Sequence, residues 1–353
     1  PGWSKVGYND SQWMGTATME ISKEKLIAPE GPPVKVVDQL EPLSIQKVDE
    51  GWLVDMGQNM VGWIRLKVDC PAGTKITLRH AEVLDKDGNF YITNLRRAKQ
   101  TNTYICKGGG TEVYEHSFTF QGFRFVDISG YPGEVTKDML TGVVVNSDLA
   151  KTGDFSCNDS LINQLQHNIV WGQKGNFVDV PTDCPQRDER LGWTGDCQVF
   201  APTACFNMDC SGFYTKWLRD LAVDQHEDGA VPHVIPNVLE RGGAHGWQDA
   251  AVIVPWTVYQ WYGDVQILEE QYESMKALVE FMRGQAGDAY IWVPTERQFG
   301  DWLAFATIRS DYPGATTDKD LLATCYFYHS TNLLRKTAEI LGRESYVKDY
   351  SQL

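Results

Sequence analysis

Residues 180–197 read VPTDCPQRDERLGWTGDC. Four acids, Asp183, Asp188, Glu189 and Asp196, stand here beside Arg187, Arg190 and Trp193, among prolines and glycines that rule out one regular helix. Acids this close repel one another unless something compensates them. Arginines favour the ionised form of the acids they touch, whereas an acid facing an indole is pushed towards neutrality by desolvation. Carboxyls held in such contrasting environments suit acid/base chemistry on an acetal, where one donates a proton and another stays charged. The same residues would also serve as a salt-bridged loop bracing the helix that begins near Asp196, because structural networks perturb acids too.

Two further stretches repeat the pairing of indole and acid. RGGAHGWQDAAVIVPW (241–256) brings His245, Trp247 and Asp249 to a helix start, and RQFGDWLA (297–304) sets Asp301 and Trp302 after a Gly300 turn. A helix-start acid and a core tryptophan would explain the second stretch as well as a ligand contact does. Three such pairs at successive helix junctions describe a sugar pocket, because an indole offers a broad apolar face with one polar handle. Other chemistries lack their residues. His226-Glu227 has no second histidine four positions on, and the chain contains neither a GxSxG elbow nor a P-loop.

These residues need a scaffold, and the 353-residue chain is long enough for two cores. With 32 basic against 47 acidic residues the net charge is −15, which argues against nucleic acid and anionic membrane partners. The eight cysteines form no CxxC pair, so free thiols are expected, with a Cys184–Cys197 bridge open but unsupported. Neither zinc-ligand spacing nor a calcium loop is present, so no metal or other cofactor is expected.

From about 35 to 148 the apolar period is two, as in WLVDMGQNMVGWIRLKVDC, which predicts an antiparallel β-sandwich. The run Gly108–Gly110 is expected to turn a hairpin. From Asn158 the period becomes 3.6, and helices are expected near 158–173, 197–208, 212–227, 248–262, 265–283 and 318–341 and over the last residues. WYGD (261–264) and LGRE (341–344) each end one helix at a glycine and start the next, as stacked helical hairpins do. The expected organisation is a remnant of a preceding β-domain with its linker (1–34), a β-sandwich (35–150) and an all-α domain (151–353).

DCPQRDERLGWTGD resembles the signature of bacterial α-L-rhamnosidases, glycoside hydrolase family 78. DMGQNMVGWIRLKV, FTFQGFRFVDISGY, GWQDAAVIVPW and YGD are similar to further parts of that family. The resemblance implies a multi-domain protein whose catalytic domain is an (α/α)6 barrel and which releases terminal α-L-rhamnose with inversion. It puts Glu189 at the general-acid position, with Asp183, Arg187 and Asp196 on the sugar hydroxyls. Trp193, Trp247 and Trp302 would wall the pocket against the 6-deoxy edge, with Asp249 among the substrate contacts. The expected partner is a rhamnose-containing glycoside, oligosaccharide or polysaccharide; compartment and oligomeric state stay open. About seven helix-like segments are fewer than six hairpins need, so the barrel is expected to be incomplete and its general base to lie past Leu353, leaving this piece little activity of its own. Glu227 and Glu296 are within reach in sequence but do not match the family's base position. Two alternatives are another α-toroid enzyme acting on uronic-acid or α-linked sugars, which needs a cationic cluster, and a lectin-like protein exposing Trp52, Trp63 and Tyr91 in a row.

Overall fold

The computed structural model describes residues 2–24, 26–295, 297–304 and 316–353; Glu296 lies outside the described residues. Residues up to Glu30 form a unit of their own, built from turns with no helix or strand among its described residues. In it Tyr8 packs on Trp13.

The second unit, from Gly31, opens with eight strands: β1 (Val34–Leu40), β2 (Ser44–Val48), β3 (Gly51–Val68), β4 (Lys75–Ala81), β5 (Thr101–Ile105), β6 (Glu112–Tyr114), β7 (Gln121–Ser129) and β8 (Leu140–Ser147). They form one antiparallel sheet in the order β1-β8-β3-β7-β4-β5, with β2 and β6 also pairing β3. The expected sandwich is built from this one curled sheet: the 18-residue β3 pairs β2 and β7 over residues 51–55, β7 again over 60–62, and then β8 and β6 to its end. A register shift between Asp55 and Met60 lets the strand bend, so the sheet curls on itself. Val54, Ile64, Leu66, Ile76, Phe123 and Ile128 fill the core inside the curl.

Two local expectations need correction. Cys70 and Cys106 form a disulfide across 36 residues, joining the end of β3 to the end of β5, while Cys184 and Cys197 are free and buried. No short cysteine motif encodes such a bridge, since sheet pairing brings the two ends together. The Gly108–Gly110 run joins β5 to β6, which pair with different strands, so it is a crossing loop; the Glu112 carboxylate accepts the Lys107 and Gly108 N–H groups. Trp52, Trp63 and Tyr91 are half-buried, and Trp63 gives its indole N–H to Glu115. No exposed aromatic row of these three exists.

Seven helices follow: α1 (Ser160–Asn176), α2 (Thr194–Asn207), α3 (Ser211–Asp224), α4 (Ala250–Tyr262), α5 (Val265–Ala286), α6 (Lys319–Ile340) and α7 (Glu344–Tyr350). Asp159 caps α1 by accepting the Leu161 N–H. Gly263, in the left-handed conformation, ends α4, and Asp264 starts α5 by accepting the Gln266 N–H. The core of this half runs through Tyr214, Trp217, Val254, Leu268, Tyr272 and Leu334, all buried. The apolar stripe that marks α1 is not covered: Leu161, Ile162 and Leu165 are exposed. No helix among the described residues is long and apolar enough to cross a membrane.

The acid loop sits where the two halves meet. A side chain at Gly122 of β7 would come within 2.9 Å of Pro185, so only glycine allows this approach. Buried Gln100 holds Gly122 by both its N–H and its carbonyl. The curled sheet is therefore part of the wall against which the acids are set.

Candidate active site

A short ribbon, β9 (Phe177–Val178) with β10 (Val180–Pro181), delivers the chain to the loop. Asp183 closes the loop on itself. Its N–H donates to the Leu191 carbonyl at 3.0 Å, and its carboxylate accepts the Leu191 N–H at 2.9 Å. Thr194, opening α2, then donates its N–H and hydroxyl to the His233 carbonyl, each at 3.0 Å, fixing the loop to the segment before α4. Gly192 is required here because a Cβ would lie 2.2 Å from the Ile235 carbonyl oxygen.

Arg187 joins the acids. Its guanidinium donates to Asp183 at 3.2 Å and to Glu189 at 3.0 Å. Glu189 also takes a hydrogen bond from Arg96, of the loop between β4 and β5, at 3.1 Å, and the Trp193 indole N–H at 3.0 Å. The sequence suggested an acid against the face of Trp193; the contact is instead a hydrogen bond to its edge. Asp188 pairs with Arg97 at 2.8 Å, and this guanidinium holds its carboxyl below the usual range.

Arg190 departs from expectation. Its place in the sequence suggests a partner for the acids, yet it donates to the carbonyls of Phe120, Gln186 and Arg187 and to Gln100. Burial lowers its basicity. Its role is to stitch the loop to the sheet.

Asp196 is pushed up by its surroundings. It projects from the first turn of α2 into a cavity, reachable by solvent yet ringed by protein. Desolvation, with the charges of Asp183 and Glu189 adding to it, raises it to about 6.

Two cavities flank this acid cluster. The first, about 590 Å³, is lined by Asp183, Asp196, His245, Trp247, Trp302 and Tyr326 among others. Burial holds the His245 imidazole down at about 4, so it meets the cavity neutral. The second, about 610 Å³, is lined by Trp193, His233, Arg241, Arg297, Phe299 and Trp302 among others. Phe299 ties the three tryptophans together, with ring centroids 4.4 Å from Trp247, 5.5 Å from Trp302 and 6.0 Å from Trp193.

Thus Asp183, Arg187, Glu189, Trp193 and Asp196 are gathered in one cluster, with Trp247 and Trp302 on the cavity walls. Asp249 is not at either cavity. It is fully buried, and its carboxylate accepts the Gly246 N–H at 2.8 Å and the Ser330 hydroxyl at 2.5 Å. It fixes the loop that carries His245 and Trp247. Sequence reasoning named neither Phe299, though it lies within the quoted RQFGDW, nor Arg96, whose partner is 93 residues away.

Asp183, Cys184 and Glu189 place one donor atom each within 4.8 Å of one another, a spacing a metal ion could use. Arg187 already supplies a cation to both carboxylates, and burial beside Asp183 pushes the Cys184 thiol up to about 12. The donor set therefore fits an arginine-bridged pair better than a metal site.

Residues 45–146 match a family model for the bacterial alpha-L-rhamnosidase concanavalin-like domain, and residues 150–353 match one for the bacterial alpha-L-rhamnosidase 6 hairpin glycosidase domain. An alpha-L-rhamnosidase of Streptomyces avermitilis is 42% identical over 98% of this chain and 33% of its own length; one of Formosa agariphila is 39% identical over 100% of this chain and 38% of its own. The crystal structure of the S. avermitilis enzyme complexed with L-rhamnose superposes with a TM-score of 0.90 at 42% identity, covering 99% of this chain and 33% of that one. The native Aspergillus terreus alfa-L-rhamnosidase gives 0.93 at 38% identity, covering 99% and 41%. The chain thus spans between a third and about two fifths of the length of these relatives. Since the six-hairpin model alone accounts for more than half of its residues, the chain belongs to the bacterial α-L-rhamnosidase family.

Proposed function

We propose that this protein hydrolyses terminal α-L-rhamnosides with inversion, Glu189 protonating the departing glycosidic oxygen. The observation that carries this reading is that Glu189, which lines neither cavity itself, is tied by its hydrogen-bond partners to the walls of both. Through Arg187 it is joined to Asp183 on the wall of the first, and through the Trp193 indole to the wall of the second. An oxygen shared by a released sugar and its aglycone must lie at such a border, within hydrogen-bond reach of the acid. The crystallised relative with L-rhamnose supports rhamnose as the sugar.

In this proposal rhamnose occupies the first cavity. Asp183, Asp196 and Arg187 bind its hydroxyls, and Trp247 and Trp302 meet its apolar edge. Glu189, carrying a proton when the glycoside binds, exchanges one guanidinium contact for the leaving oxygen, gives it that proton as the C1–O bond breaks, and is left as the carboxylate to which Arg187 and the Trp193 indole donate. A water on the opposite face adds to C1 and loses its proton to a second carboxylate, the pair standing ~6.5–9.5 Å apart in inverting sites. An (α/α)6 barrel is proposed for the helical domain. The serial hairpins support it, as do the exposed apolar side chains of α1 and α2, Leu161, Leu165 and Phe206, which a further helical layer would cover.

One observation favours a second assignment. Asp196 is the cluster's acid raised to about 6, which suits a proton donor. Leaving-group dependence separates the two. In the full-length protein, Glu189→Gln should cost about 10²–10⁴-fold on an alkyl α-L-rhamnoside and far less on the p-nitrophenyl rhamnoside, whose aglycone departs unaided. If Asp196→Asn shows that pattern and Glu189→Gln does not, Asp196 is the acid. If neither parent nor variant releases rhamnose, the proposed activity fails.

A further inference from the structure

We propose that the second cavity is an aglycone subsite for an acidic sugar, a uronate, with Arg241 and Arg297 receiving its carboxylate. This rests on the rhamnosidase reading, because it is Glu189 that divides sugar from leaving group. The protein is strongly acidic, and among the described residues every arginine except Arg190, Arg241 and Arg297 is paired with a carboxylate. Arg190 is consumed by carbonyls within the acid loop. Arg241 and Arg297 have no such partner, and both line this cavity. Arg297 lies over the Phe299 ring at 5.6 Å, and a guanidinium held on an aromatic face can still offer its N–H fork to a planar anion.

A buried group marks the same wall. His233 is 5% exposed, stacks on Trp193 and lines the cavity, and its Nδ1 has no partner among the described residues. Arg241, Arg297 and His226 all act on it in the same sense, adding to burial in pushing it down to about 4. Both arginines therefore stand close enough to His233 for their charge to act on it. Two acids share the lining: Asp228 turns one oxygen back to the Ala230 N–H at 3.0 Å, and Glu240 stands on the exposed rim.

The wall otherwise suits a pyranose. Trp193, Phe299 and Trp302 offer ring faces, and Trp302 is common to both cavities, so a glycoside can run continuously from one to the other. A uronate linked to rhamnose through one of its hydroxyls presents a planar carboxylate for guanidinium pairing. The arginines at the acid loop are already engaged by its acids and carbonyls, whereas the pair an acidic sugar requires stands here.

The test is a titration of the full-length protein, followed by calorimetry and tryptophan fluorescence, with sodium D-galacturonate, D-galactose and D-galactose 6-sulfate. Galacturonate should bind at least about tenfold more tightly than galactose, with the preference falling as salt rises. Arg241→Met and Arg297→Met should each erase most of that preference, and the Lys variants should restore part of it, with thermal melts verifying the fold. Equal binding of galacturonate and galactose, or undiminished preference in both Met variants, overturns the proposal. Binding of the sulfate ester without the uronate overturns the carboxylate assignment. L-Rhamnose titrated alongside reports on the first cavity, so loss of rhamnose binding sinks the functional reading while the galacturonate result stands by itself.

Discussion

The guanidinium of Arg96 meets the carboxylate of Glu189 at 3.1 Å, although 93 residues separate them and they belong to different halves of the chain. Arg96 follows a short 3-10 turn, Thr93–Leu95, anchored by the buried Leu95, and it adopts φ 55°, which is unusual for a non-glycine residue. The sheet thus supplies a positioning contact to the proposed acid. Arg97–Asp188 and Arg190–Phe120 hold the same loop from the same side.

Removing that contact should loosen the acid without removing it. Arg96→Ala is expected to lower kcat about tenfold on an alkyl rhamnoside, leaving KM within about twofold, since small misplacements of a reacting group are costly. In a Glu189→Gln background the same change should have little further effect, as coupled residues are non-additive. Equal losses in both backgrounds would show that Arg96 acts only on general stability.

Asp196 predicts a pH dependence whose sign is fixed. Its folded value, about 6, lies above the usual 3.8, so the ionised form is the one that folding disfavours. This destabilisation is fully present above pH 6, fades as pH falls from 6 towards 4, and is gone below that. Asp196→Asn should therefore be more stable than the parent at pH 8, with the difference shrinking through that window. Urea unfolding at several pH values measures it, and a pH-independent difference would contradict the electrostatic cause.

Asp249 predicts a stability loss instead of a direct loss of sugar contact. Asp249→Ala leaves the Gly246 N–H and the Ser330 hydroxyl without their buried acceptor. Each deserted group costs about 1–3 kcal/mol. The variant should unfold at clearly lower urea, and Ser330→Ala by a smaller shift. Full stability combined with loss of rhamnose affinity would return Asp249 to the substrate contacts.

How far the sequence announced this arrangement depends on the range of each interaction. The helices of 151–353 and the acid loop were legible because capping, glycine stops and apolar periods act within a few residues. Asp159, Gly263 and Asp264 each do so. The curl of the sheet was not, because alternation in β3 says which face is buried and not that one strand serves four partners. The same limit hid Arg96, Phe299 and the Cys70–Cys106 bridge, whose partners are set by tertiary pairing. It also made Arg190 look like a counterion, since charge alone does not distinguish a carboxylate partner from a ring of carbonyls. The apolar stripe of α1 announced a helix correctly but not what, if anything, covers it.

Gly195 offers the most selective perturbation of the first cavity. It lies in the first turn of α2, next to Asp196, and the Trp247 indole packs directly on it: an added Cβ would stand 2.6 Å from the ring. Trp247 has little freedom to withdraw, because Phe299 lies behind it at 4.4 Å and its loop is fixed through Gly246 to Asp249. Alanine itself suits a helix better than glycine, which offsets part of the strain. Gly195→Ala should therefore displace the indole, shift its fluorescence and weaken L-rhamnose binding by about tenfold or more, with a smaller effect on thermal stability. Gly192→Ala, blocked by the Ile235 carbonyl, should show the opposite balance, a large loss of stability. If Gly195→Ala binds rhamnose like the parent, Trp247 is not a wall of the sugar site.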